Sequence, residues 1–223
     1  MKRNMLNRLA AIFLLLFGMV SCSNRTDDTP ENTISRSEAQ IFLYGENHGI
    51  DEVIQKEFEI WHDHYHNDGM RHLFLESPYY TCEFLNIWMQ ADNDDILDAI
   101  YDDLEGTPSH VPAIKDFYQK IKEQCPETIF HGTDVGHQFF SIGERYLEYL
   151  RQNNLEDSEQ YLISQEVIEQ GQYFYESSDD VYRENKITEN FIRAFDSLND
   201  EKIMGIYGAS HTGLNKMDYT GKI

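Results

Sequence analysis

Four short stretches of the chain are apolar without alternation: residues 41–44 (Ile-Phe-Leu-Tyr), 72–75 (His-Leu-Phe-Leu), 128–130 (Thr-Ile-Phe) and 203–207 (Ile-Met-Gly-Ile-Tyr). Continuous runs of this length are the mark of strands covered on both faces. Between them the apolar positions change rhythm. Residues 51–67 place Val53, Ile54, Phe58, Trp61 and Tyr65 mostly three or four apart, behind the acidic pair Asp51 and Glu52. That is an amphipathic helix with its negative charge at the correct end of the helix dipole. The same spacing predicts helices over residues 82–90, 94–104, 111–124, 136–153, 158–175 and 179–198. The order β-α-β-ααα-β-ααα-β predicts an α/β fold, a mostly parallel sheet of about four or more strands with helices on both faces. No repeat, low-complexity block or second domain is visible.

In an open parallel sheet the ligand sits beyond the carboxyl ends of the strands. The residues at the exit of each predicted strand are therefore informative. The first strand runs into Gly45-Glu46-Asn47-His48-Gly49 and the second ends in Glu76-Ser77-Pro78. The third leads to His131-Gly132-Thr133-Asp134, and the fourth to Gly208-Ala209-Ser210-His211. All four exits carry ionisable side chains. Glu76 closes an apolar strand just before Ser-Pro, and a buried carboxylate there needs an Arg, a His or a metal opposite it.

Two histidines and two carboxylates suit two kinds of chemistry. One is metal-free hydrolysis, in which His takes a proton from water and carboxylates orient it. The other is a divalent metal held by His and Glu with an open position for water. Gly208-Ala209-Ser210-His211 lacks the last glycine of a nucleophile elbow, which disfavours a serine hydrolase. Cys82 and Cys125 fall in predicted helices away from the exits, so a cysteine nucleophile is disfavoured as well. No dinucleotide or P-loop fingerprint occurs. His62-Asp63-His64-Tyr65-His66 has metal-like spacing but lies mid-helix, and reads as a surface face. Tyr173-Phe174-Tyr175 reads as helix packing. His131 and His137 flank the third exit, where either would serve as an extra ligand.

Taken together, the Gly45-Glu46-Asn47-His48-Gly49 opening, the strand ending in Glu76, the Gly132-Thr133-Asp134 exit and Gly208-Ala209-Ser210-His211 resemble the erythromycin esterase-like and ChaN-like superfamily. That superfamily also includes the Tiki and TraB-type proteins. Tyr182-Arg183-Glu184-Asn185-Lys186-Ile187-Thr188-Glu189-Asn190 is similar to its Arg-acidic-x-x-Met-x-x-Asn helix, with Ile187 at the Met position. The resemblance runs over residues 41–213. It implies that Glu46, His48, Glu76 and His211 line an active cleft, with His48 as general base acting on water. Arg183 would add positive charge, and Asp134 would be a supporting carboxylate that orients a histidine. Only Asn47 separates Glu46 from His48, whereas erythromycin esterases have two residues there. The tighter spacing is closer to the ChaN-like branch, whose members include lipoproteins linked to haem or iron uptake. The resemblance supports two readings. One is a hydrolase of an ester, lactone or amide in a small molecule or peptide. The other is a haem- or metal-binding lipoprotein without catalysis.

The N-terminus and the composition add an address. Lys2, Arg3 and Arg8 precede an apolar run over residues 9–20, too short to span the ~30 Å of bilayer hydrocarbon as a helix. The adjacent Cys22 resembles the lipidated cysteine of a bacterial lipoprotein signal. This predicts a signal peptide over residues 1–21, a Ser/Thr/Asn/Asp-rich tether over 22–38 and one domain over 39–223. Acyl chains on Cys22 would hold the protein at a membrane surface of the bacterial cell envelope. The whole chain of 223 residues carries 18 Lys and Arg against 40 Asp and Glu. Loss of the signal removes three of the basic residues and makes the remainder more acidic still. Such a surface repels phosphate and excludes nucleic acid as a partner. Export permits a Cys82–Cys125 disulfide, with two buried thiols as the alternative.

Overall fold

The structure is a computed structural model, described for residues 39–213. The predicted signal peptide, the tether and the lipidated Cys22 lie outside the described residues. Four strands, β1 (Ile41–Glu46), β2 (His72–Pro78), β3 (Ile129–Asp134) and β4 (Ile203–Gly208), form one parallel sheet in the order β1-β4-β2-β3. The helices are α1 (Asp51–Asn67), α2 (Tyr79–Met89), α3 (Asp95–Asp103), α4 (Pro112–Gln124), α5 (Glu144–Gln152), α6 (Glu159–Ser177) and α7 (Asp180–Asp196). The α/β fold and parallel sheet are as the pattern predicts. Among the described residues no helix is long and apolar enough to cross a membrane.

Three of the four apolar runs serve two cores because successive side chains point to opposite faces, while in β3 Ile129 is exposed and only Phe130 is buried. Phe42, Leu73, Leu75, Phe130, Met204 and Ile206 join the large core beneath α1, α2 and α4, with Trp61, Trp88 and Tyr80 fully buried. Ile41, Phe74, Ile203 and Tyr207 face the other way, onto Ile187, Phe191 and Phe195 of α7. Residues at strand ends are sorted by the same parity. Glu46 shares the face of Phe42 and Tyr44, towards α1, while Glu76 shares the face of Phe74, towards α7.

The strands run further than their apolar cores. Glu46 pairs with Gly208 and Pro78 with Asp134, because the backbone ladder is indifferent to side-chain polarity. Glu46, Glu76 and Asp134 are thus held by the sheet itself rather than by loops. Two helices start elsewhere than the periodicity predicts. α2 begins at Tyr79, directly after an extended Pro78, whose ring cannot continue a helix backwards. The stretch predicted as one helix over residues 136–153 is broken: Gln138 is left-handed, Phe139–Gly143 forms a single π-helical turn, and α5 comes after it.

Cys82 and Cys125 are both free and buried, so the alternative of two buried thiols is the one observed.

Candidate active site

All six residues drawn from the strand exits and the Arg183 helix meet at the carboxyl edge of the sheet. They form two halves with different electrostatics.

The first half lies on the α7 side. Asp179 caps α7 by accepting the Tyr182 backbone N–H at 3.0 Å, which sets Arg183 in the first turn over the ends of β2 and β3. Arg183 donates to both oxygens of Asp134, from Nε at 3.0 Å and Nη2 at 2.6 Å, and Nη2 also reaches Glu76 Oε1 at 2.7 Å. The Gly208 N–H donates to Glu76 Oε2 at 2.6 Å. His211 Nε2 stands 3.2 Å from Glu76 Oε1, and its Nδ1 is 2.7 Å from Glu184 Oε1. Carboxylates close to both nitrogens of a buried ring favour the imidazolium form of His211. Burial works against that charge, but the hydrogen bonds and charges of Glu184 and Glu76 outweigh it and hold the His211 pKa up at about 10. Burial would raise Glu76, yet His211 and the Gly208 N–H leave it net lowered. Asp134 behaves likewise: burial opposes ionisation, and His137 and Arg183 pull its pKa down to about 2.

The second half lies on the α1 side. His48, in the loop after β1, has Nδ1 3.0 Å from Glu46 Oε1 and Nε2 3.9 Å from Glu76 Oε2. In the neutral ring that donates Nδ1–H to Glu46, Nε2 carries the lone pair and faces the cleft. Its side chain is 42% exposed, against 6% for His211. The hydrogen bond to Glu46 is the largest influence on His48 and raises its pKa, with partial burial working the other way.

Gly208 sits where the halves meet. A Cβ there would lie 3.0 Å from His48 Nε2, 3.2 Å from Glu76 Oε2 and 3.4 Å from His211 Cδ2. Glycine keeps that space open.

A cavity of about 290 Å³ opens in front of this centre. Glu46, His48, Glu57, Glu76, Asp134 and Arg183 line its polar side, while Ile100, Leu104, Ile114 and Phe117 of the α3–α4 region form an apolar wall. Thr81 Oγ1 also lines it and has no hydrogen-bond partner among the described residues. No group of three or more His, Cys, Asp or Glu among the described residues is arranged to hold a metal ion.

Several side chains change their reading. Tyr175, expected to pack with Tyr173 and Phe174, instead lines the cavity and bonds His137 Nδ1 at 2.7 Å. His137 Nε2 in turn donates to Asp134 at 3.0 Å, so of the two histidines flanking the third exit it is His137 that joins the network. A close approach makes this possible: a Cβ on Gly171 of α6 would collide with the Gly136 backbone. His131 is not at an exit but inside β3, stacked on Phe74 and 2.9 Å from His72 Nδ1. Burial holds its pKa down at about 3, so it stays neutral there. The histidine tract divides. His62 and His66 pack as tilted rings with centroids 4.3 Å apart, but His64 is fully buried between Tyr44 at 2.9 Å and Asp68 at 2.7 Å. It belongs to the core rather than to a surface face, because α1 turns residue 64 inward along with Trp61 and Tyr65.

Two site residues went unassigned by sequence reasoning. Glu184 comes directly after Arg183. Glu57 is a carboxylate on the buried stripe of α1, beside Ile54 and Trp61.

The sequence matches no protein-family model and no curated protein. Among solved structures, the chain is similar to a mutant of the erythromycin esterase EreC in its open conformation, with a TM-score of 0.53 and 11% identity. The match covers 76% of this chain and 60% of that one. At that identity the likeness is one of fold, and the fold of this chain is erythromycin esterase-like.

Proposed function

We propose that the cleft hydrolyses an ester, or a related lactone or amide, in a small uncharged molecule, without a nucleophilic side chain. The observation that carries this reading is the His48 ring, oriented by Glu46 with Nε2 directed at the open space beside Glu76. A water between His48 Nε2 and Glu76 Oε2 would give a proton to Nε2 as its oxygen attacks the substrate carbonyl. The oxyanion formed would be met by the positive charge of Arg183, supported by His211 behind Glu76. Collapse breaks the acyl bond, and the proton on His48 passes to the leaving group. His211 is already protonated and is a charge support, not a second base.

The lining restricts the substrate. Four carboxyl groups on the polar side disfavour an anion, and the apolar wall favours a hydrocarbon portion. A cavity of about 290 Å³ is at the small end for a ligand pocket. A compact substrate with one apolar arm fits. The basic head, the apolar run and Cys22 support a lipid anchor, which would hold this chemistry at a membrane surface of the cell envelope.

The test is a panel of neutral aryl and alkyl esters and lactones assayed with wild type and His48→Ala. Turnover falling by roughly 10²–10⁴-fold in the variant is expected for loss of a general base. Equal turnover in both proteins across every hydrolysed substrate refutes the reading.

A further inference from the structure

At the β3 edge of the cavity stands a second ordered set of polar groups, Asp134, His137 and Tyr175, all three in its lining. Asp134 is buried, and each of its oxygens takes two contacts. Oδ1 accepts from the Val135 N–H at 2.7 Å and Arg183 Nε at 3.0 Å, and Oδ2 from Arg183 Nη2 at 2.6 Å and His137 Nε2 at 3.0 Å. His137 Nδ1 lies 2.7 Å from the Tyr175 hydroxyl. We propose that this chain of contacts makes Tyr175 a specificity-determining residue. Its hydroxyl proton is committed to His137, and its oxygen accepts an O–H or N–H that the substrate carries.

The direction of each hydrogen bond follows from the buried end. An ionised carboxylate only accepts, and Arg183 already supplies the positive charge opposite Asp134, so His137 has only to provide an N–H. In the neutral ring that donates Nε2–H to Asp134, Nδ1 carries the lone pair and the Tyr175 O–H points to it. The phenol oxygen then meets a ligand with lone pairs alone. Glu76, in the same lining, is an acceptor as well. A donor on the ligand is the complementary group.

The contact is built from both of the elements that carry it. Tyr175 is half-exposed, and a phenol in that position can be satisfied by water without any protein partner. The fold nevertheless holds His137 in place. The Tyr80 hydroxyl donates to the His137 carbonyl, and the Gly136 N–H donates to the Val167 carbonyl at 3.0 Å. The next residue, Gln138, is left-handed at φ 49°, a strained conformation for a side-chain-bearing residue that persists where its surroundings fix it. Phe139 then flanks the Tyr175 ring, with centroids 6.0 Å apart. The turn after β3 and the end of α6 are thus locked together around the one hydroxyl.

The inference deepens the hydrolase reading, on which it rests for the ester group, and names the substrate class as an ester with a nearby hydroxyl or N–H. The test uses matched pairs: methyl lactate beside methyl propanoate, and ethylene glycol monobutanoate beside ethyl butanoate. For each, kcat/KM and a dissociation constant from chemical-shift titration are measured at about pH 8, above the ordinary histidine range. Wild type should favour the hydroxylated member of at least one pair by roughly three- to tenfold, the worth of one neutral hydrogen bond. In Tyr175→Phe that ratio should fall to near one. In His137→Ala, which keeps the phenol but releases it, the ratio should fall part of the way. Both members of a pair are measured on one preparation, so the ratio is independent of the fraction folded. A wild-type ratio near one for every pair overturns the proposal, as does a preference that survives in Tyr175→Phe or the absence of any binding. An undiminished preference in His137→Ala overturns the fixing of the hydroxyl by His137. Failure of the hydrolase reading looks different: no ester is turned over, while the binding ratio and its loss in Tyr175→Phe remain.

Discussion

The two halves of the cleft use similar residues to opposite ends. On the α7 side, Glu76, Asp134 and Glu184 face Arg183 and His211, with direct donors 2.6 to 3.2 Å away. Each buried charge is matched, and the shifts of His211, Glu76 and Asp134 all favour their charged forms. On the α1 side, His48 is half open to solvent and answers to Glu46 and, more weakly, Glu76, an arrangement that leaves its ionisation adjustable. The lesson is a division of labour. A matched half fixes geometry and charge, so that the mismatched half can move a proton.

The largest effect expected from breaking this comparison is Arg183→Ala. It leaves Asp134 and Glu76 buried without their cation, and removing one partner of a buried pair costs about 3–5 kcal/mol. Chemical denaturation should show a loss of that order. A change below about 1 kcal/mol would mean the α7 half is not a matched ion cluster. Arg183→Lys should recover only part of the loss, since one ammonium cannot reproduce the bidentate contact with Asp134.

Next in size is the pH dependence of stability. His211 is raised from an ordinary 6.5 to about 10, so its contribution is complete below pH 6.5 and lost as pH rises through about 10. Asp134 is lowered from 3.8 to about 2, so its contribution is present above pH 3.8 and lost as pH falls through about 2. Raised Glu57 acts in the same alkaline direction as His211: its folded form keeps a proton that the unfolded chain has lost, so stability falls from pH 4.5 towards 9. Denaturation midpoints should therefore decline on the alkaline side. Glu184→Gln, which removes one of the two carboxylates around His211, should bring that decline to lower pH. An unchanged profile would remove Glu184 from the account.

A smaller structural effect with a larger functional one is expected at Gly208. Gly208→Ala places a methyl group 3.0 Å from His48 Nε2 and 3.2 Å from Glu76 Oε2. Displacing the base by even ~1 Å can cost about 10²-fold in turnover. Stability should change by less than about 1 kcal/mol, because the exposed His48 ring can move aside. Full activity in this variant would contradict the placement of the reacting water.

Much of the site is legible in the chain because a parallel sheet brings its carboxyl ends together. Glu46, Glu76, Asp134 and the loop residues His48 and His211 each come after an apolar run, and topology alone makes them neighbours. Arg183 lies on a helix, and its motif resemblance rather than its periodicity marks it. What stays hidden lies on helix faces. Glu57 and Tyr175 occupy positions where periodicity reports burial or exposure but not what stands opposite. The apolar wall from α3 and α4 has the same spacing as any core. The pattern puts His131 at an exit because its strand continues past its apolar residues, an extension that hydropathy alone does not reveal.

One measurement addresses the difference between the halves directly: the pH titration of the His48 and His211 ring signals by NMR in the same sample. His48 is expected to titrate above its ordinary value, while His211 stays doubly protonated until pH approaches about 10. A His211 that titrates near its ordinary 6.5, or two histidines that titrate together, would contradict a cleft built from one fixed half and one adjustable half.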